Sequence, residues 1–127
     1  MSKGYDDMVQ NFGDETREAL LLHNYSEQDI AWIGDNYGKY EVSIEEFFKA
    51  ADDFDYDSGW GHPEVPLDLI IMFKDGCCLC RQEYDGSEWW YLQVCKRRPR
   101  NLIKGKLDFH RKSKDSFLPT LAEKLEL

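Results

Sequence analysis

Residues 75–90 read Asp75-Gly76-Cys77-Cys78-Leu79-Cys80-Arg81-Gln82-Glu83-Tyr84-Asp85-Gly86-Ser87-Glu88-Trp89-Trp90. Two Asp-Gly pairs stand ten residues apart, with apolar-rich segments around them. Asp-Gly is the chemistry of a tight β-turn, because the two central residues of such a turn need positive φ. Two in succession predict a three-stranded antiparallel meander over residues 67–74, 77–84 and 87–95.

If both turns hold two residues, the faces of that meander follow from strand alternation. Leu69, Ile71, Phe73, Cys78, Cys80, Trp89 and Tyr91 share one face. Ile70, Met72, Cys77, Leu79, Trp90, Leu92 and Val94 share the other. An antiparallel sheet with one wet face alternates apolar and polar residues. Here both faces are apolar. Burying such a face is worth several kcal/mol at about 25 cal/mol per Å², so the sheet must be covered on both sides.

Upstream, Ser43-Ile44-Glu45-Glu46 has the form of a capping box. The helix it opens runs to about Asp52, with Ile44, Phe47, Phe48 and Ala51 as one apolar stripe. Residues 30–33 and 39–42 alternate around the turn residues Gly34-Asp35-Asn36-Tyr37-Gly38, which predicts a hairpin; a helix through residues 26–33 is the competing reading. Asp14 is placed as the cap of a helix over residues 15–23, ending at Asn24. Residues 1–13 read as a loose lead-in. Downstream, Asp115 or Ser116 is placed at the start of a last helix, to about Leu125, with Pro119 in its first turn. The expectation is a single α+β domain over residues 1–127, an antiparallel meander of three to five strands packed with about three helices.

The chain of 127 residues carries a net charge of −9, and that charge is polarised. Residues 1–68 hold 17 Asp/Glu against 4 Lys/Arg, a balance of −13, and residues 69–127 hold 8 against 12, a balance of +4. Within residues 96–114 nine basic residues face a single acid, Asp108. Such polarity points to charged partners, or to copies of the chain pairing acidic to basic. The first residues are polar and acidic, unlike a signal peptide. The longest apolar run, Leu69–Phe73, is too short for a bilayer. A cytoplasmic setting without membrane contact is expected, with reduced thiols at Cys77, Cys78, Cys80 and Cys95.

No nucleophile motif occurs, and His23, His62 and His110 are scattered. The cysteines lack the spacing of a zinc knuckle. Asp53, Asp55 and Asp57 match part of a calcium loop, with Glu64 at its closing position, but Ser58 stands where that loop needs glycine. The expectation is a non-enzymatic protein without a cofactor or a metal, with metal binding kept as a minor alternative. The acidic stretch suits a basic surface of the kind that nucleic-acid enzymes turn toward phosphates. The residues placed at that contact are Asp52, Asp53, Asp55, Asp57 and Trp60. The alternative is a nucleic-acid-binding module using Lys96, Arg97, Arg98, Arg100, Lys104 and Lys106.

The segment from Asp75 to Trp90, above all Tyr84-Asp85-Gly86-Ser87-Glu88-Trp89-Trp90, resembles a stretch of small proteins of bacteriophages and mobile elements. The resemblance extends to Tyr56-Asp57-Ser58-Gly59 and to Ser43-Ile44-Glu45-Glu46-Phe47, about half the chain. It departs at Cys77, Cys78 and Cys80, where bulkier residues are expected. No catalytic residue is carried by it. It implies an accessory phage protein in a bacterial host cell, an inhibitor of a host nucleic-acid-binding or defence enzyme in the manner of anti-CRISPR proteins.

Overall fold

The computed structural model describes residues 9–57, 63–85, 87–94, 102–113 and 119–127. Its elements run β1 (Val9–Asn11), α1 (Phe12–Leu22), β2 (Ile30–Asp35), β3 (Tyr40–Val42), α2 (Ile44–Asp52), β4 (Asp55–Asp57), β5 (Leu69–Phe73), β6 (Cys78–Tyr84), β7 (Ser87–Gln93), β8 (Ile103–Lys104), β9 (Lys106–Leu107) and β10 (Leu125–Glu126). The main sheet has six strands in the order β7-β6-β5-β2-β3-β8. Its pairs are antiparallel except β3–β8, which is parallel. The α+β class and the meander stand. The sheet is larger than expected because β2 of the first hairpin pairs with β5 of the meander, and mixed because β8 joins β3 in parallel.

The described residues form two α-helices rather than three. The expected start of the last helix, Asp115 or Ser116, lies outside the described residues; its described part forms instead a 3₁₀ turn, Ala122–Lys124, followed by β10. Leu125 pairs with Leu107 of β9, so tertiary strand pairing overrides the helical periodicity. The lead-in is not loose throughout. Val9–Asn11 pairs with Asp55–Asp57, and Asn11 rather than Asp14 caps α1, its side chain accepting from the Asp14 N–H at 3.0 Å. Asn24 follows the end of α1 at φ 64°, a left-handed stop. The hairpin reading of residues 30–42 holds. The competing helix is reduced to a 3₁₀ turn at Glu27–Asp29. Ser43 caps α2 as expected, its Oγ accepting from the Glu46 N–H at 3.1 Å.

One correction concerns the meander itself. Ile70 pairs with Cys80 and Met72 with Cys78, one residue out of the two-residue register. At the first turn only Gly76 has positive φ, 92°. Asp75 Oδ1 accepts the Cys77 N–H at 2.9 Å, and the Phe73 N–H reaches the Cys77 carbonyl at 2.9 Å. The loop therefore spans three residues, the form that carries a glycine bulge. The second turn is as expected, with Tyr84 opposite Ser87 and Asp85 at φ 53°. A one-residue slip exchanges faces. Leu79 and Trp90 join Leu69, Ile71 and Phe73 in the main core, whereas Cys78 and Cys80 join Ile70 and Met72 on the opposite face.

The main core lies between the sheet and both helices, and includes Phe12, Phe47, Leu20 and Val65. The opposite face buries Trp32, Ile70, Met72, Cys78 and Cys80, with Leu102 packed against them. Both faces thus bury apolar side chains, although Trp89 and Leu92 on the edge strand β7 stay exposed. No helix among the described residues is long and apolar enough to cross a membrane.

Candidate functional site

The helical side of the sheet carries the acidic residues. β1 and β4 form a short ladder, with Asn11 opposite Asp55 and Val9 opposite Asp57. α1 packs on α2. Across residues 9–22 and 44–57 there are nine Asp/Glu and two Lys/Arg, a local balance of −7. These carboxylates stand on helices and a paired strand, so their spacing is fixed. Asp14, Glu18, Glu45, Asp52, Asp53 and Asp55 are exposed.

The two central acids are already engaged. Arg17 reaches Asp52 through two hydrogen bonds, Nη1–Oδ1 at 2.6 Å and Nη2–Oδ2 at 3.1 Å. Its guanidinium lies 4.9 Å above the Phe48 ring. That bidentate hydrogen bonding holds the Asp52 carboxyl below the usual carboxylate range, against a smaller upward push from burial. Asp55 Oδ1 accepts from Asn11 Nδ2 at 2.8 Å, which ties β4 to the start of α1. Asp53 is open, its side chain 87 % exposed and 3.9 Å from His110 Nε2. The Asp57 N–H donates to Glu64 Oε2 at 3.1 Å.

Four of the five residues assigned to protein binding therefore lie on one contiguous segment at the end of α2 and in β4. Trp60 lies outside the described residues, as do Lys96, Arg97, Arg98 and Arg100. Lys104 and Lys106 are described and exposed on β8 and β9, Lys104 Nζ lying 3.5 Å from Glu41. The calcium-loop residues do not converge, since Asp55 and Asp57 sit on a strand. Among the described residues no three His, Cys, Asp or Glu side chains gather in a way that holds a metal ion. Cys78 and Cys80 share a face as expected, inside the second apolar cluster.

Sequence reasoning missed a buried polar network beneath the acidic face. Arg81 donates to Glu15 Oε2 at 3.1 Å, to Glu88 Oε1 at 3.1 Å and to the Tyr56 hydroxyl at 3.0 Å. Tyr56 in turn donates to Glu15 Oε1. The guanidinium lies 4.9 Å from the Trp90 ring and 5.1 Å from Phe12. Glu88 also accepts the backbone N–H groups of Glu64, at 2.7 Å, and Val65, at 3.0 Å. Burial pushes the Glu88 carboxyl upward, against the pull of Arg81 and the two amides. Burial likewise raises the Tyr56 phenol. The network joins α1, β4, the loop at Glu64-Val65 and the second hairpin. Its signal was present: in the correctly read second hairpin, Arg81 and Glu88 fall on one face.

No protein-family model, no curated protein and no solved structure matches this chain.

Proposed function

We propose that the chain is a non-enzymatic binding protein whose acidic helical face docks on a basic surface of a partner protein. The observation that carries the reading is the −7 balance of the α1, α2, β1 and β4 layer, displayed on elements whose positions are fixed. A field of one sign speeds encounter with a surface of the other sign and fixes its register. Surfaces that bind nucleic acid carry clustered arginine and lysine, so carboxylates at fixed spacing compete there with phosphates. The resemblance of the Tyr84–Trp90 segment gives this reading its specific form, a phage-type inhibitor of a host nucleic-acid or defence enzyme. The geometry refines the contact. Asp53, with Glu18 and Glu45, offers open carboxylates, whereas Asp52 acts with Arg17 as a pair and Asp55 accepts from Asn11.

The test is capture of host proteins by the tagged chain at low and at high salt, beside the variant E18Q/E45Q/D53N. The expected result is a nucleic-acid-binding enzyme held at low salt, released by added duplex DNA and lost with the variant. Capture that is equal for both chains and indifferent to salt overturns the reading. Recovery of nucleic acid instead of protein transfers binding to Lys104, Lys106 and the basic residues before them.

A further inference from the structure

A cleft of about 470 Å³ opens on the side of the molecule that carries β9 and β10, and Glu64, Phe109, Arg111, Lys112, Ser113 and Lys124 are among its lining residues. We propose that this cleft binds a phosphate monoester carried on a small molecule. The proposal does not rest on the docking function above, and it uses other residues.

Lys124 is the central observation. It is only 7 % exposed, yet its Nζ donates to a neutral group, the Arg111 carbonyl. A buried ammonium is costly unless a charge compensates it, and Lys has three donors to satisfy. Burial accordingly lowers the affinity of this amine for its proton, against the pull of Glu123, Asp108 and Glu64. An anion in the cleft removes that penalty. Ser113 supplies the second observation. Its Oγ is buried and has no hydrogen-bond partner, an uncommon state for a hydroxyl in a folded protein. A phosphate oxygen accepts from such a hydroxyl.

The surroundings fit. Arg111 Nε donates to the Glu123 carbonyl at 3.3 Å, which orients the guanidinium fork. The Asp108 N–H donates to the Lys124 carbonyl at 2.8 Å, and Leu107 pairs with Leu125, so both sides of the cleft are fixed to one ladder. Arg111, Lys112 and Lys124 bring three cations to the lining, against Glu64 in the lining and Asp108 and Glu123 near Lys124, so recognition rests on short-range donors rather than on net charge. The volume is that of a small-molecule site. The net charge of −9 repels an extended polyanion at long range but leaves a short-range cationic cleft effective.

The test is an NMR titration of the full chain's backbone amides with inorganic phosphate and with a nucleoside 5′-monophosphate, at constant ionic strength. Saturable shifts at residues 111–113 and at Lys124 are expected. Lys124→Met should weaken binding roughly tenfold or more. R111Q/K112Q changes two exposed positions and leaves the core untouched. It should also weaken binding, which guards against a misfolded Lys124 variant. Tighter binding of the monophosphate than of phosphate places the organic part in the cleft; equal binding places recognition on the phosphate group. Shifts that remain linear to about 10 mM overturn the proposal, a limit that corresponds to negligible affinity. So do shifts reproduced by chloride, and unchanged binding by R111Q/K112Q. An oligonucleotide that binds where the monophosphate does not also overturns it.

Discussion

Arg81 and Glu88 stand diagonally on one face of the second hairpin with neither side chain exposed, Nη2 lying 3.1 Å from Oε1. Removing Arg81 leaves the Glu88 and Glu15 carboxylates without their cation, Glu88 keeping only two backbone amides, at a cost of about 3–5 kcal/mol. Arg81→Met should lower the unfolding free energy by that amount in urea denaturation. The double variant R81M/E88Q should lose less than the sum of the single losses, because each change alone strands a buried partner. Additive losses would show that the two residues act independently.

Gly13 leaves room for the Asp52 carboxylate. A Cβ at residue 13 would stand 1.9 Å from Asp52 Oδ1 and 3.1 Å from Arg17 Nη1. Gly13→Ala should displace the carboxylate and open the Arg17–Asp52 pair. Asp52 has a lowered folded-state pKa. Its stabilisation is therefore present above the unfolded value and lost as pH falls through the folded one. The pair is partly exposed, at 37 % and 49 %, so solvent screening limits it to about 0.5 kcal/mol. An NMR titration of the Asp52 carboxyl reads the effect. In the Gly13 variant it should return toward the ordinary carboxylate range, and an unshifted titration would refute the contact.

Gly34 is required by a backbone neighbour rather than by a flexible side chain. A Cβ there would lie 2.1 Å from the Tyr40 carbonyl oxygen and 2.4 Å from Trp32 Cζ2. Gly34 sits between Glu41 of β3 and Ile70 of β5, so the clash falls in the middle of the sheet. Gly34→Ala should cost about 2–3 kcal/mol, measured by thermal or urea unfolding. A wild-type melting curve would mean that β2 and β3 approach less closely.

The cysteines report the register of the meander. Cys77 is half-buried beside the first turn, whereas Cys78 and Cys80 are 2 % and 8 % exposed. Among the three described cysteines, alkylation of the folded protein, mapped by peptide mass, should mark Cys77 first and reach Cys78 and Cys80 only on unfolding. Early modification of Cys80 would contradict the burial of the second face.

Local chemistry was the legible part of the fold. Ser43 and the stripe of Phe47, Phe48 and Ala51 specify α2 from within one segment. Asp85 specifies its two-residue turn in the same way. The first turn of the meander was not legible, because a distant residue helps to hold it. The Tyr25 hydroxyl donates to Asp75 Oδ2 at 2.6 Å, and its ring stacks on Phe73 at 3.7 Å. The candidate site divides similarly. The acidic residues were evident as a run, but the Arg17–Asp52 pair spans 35 positions and left no pattern in the sequence.

By itself, the sequence determined the α+β class, the meander, the first hairpin, the capped second helix and the polarity of charge. Each of these rests on periodicity, turn residues or composition, which act over a few neighbouring positions. Only the tertiary structure decided which face each β6 residue occupies, that Leu125 ends in a strand, and that Arg81 lies buried among Glu15, Tyr56 and Glu88. Those outcomes depend on contacts between segments far apart in the chain, where burial and pairing outweigh local preference.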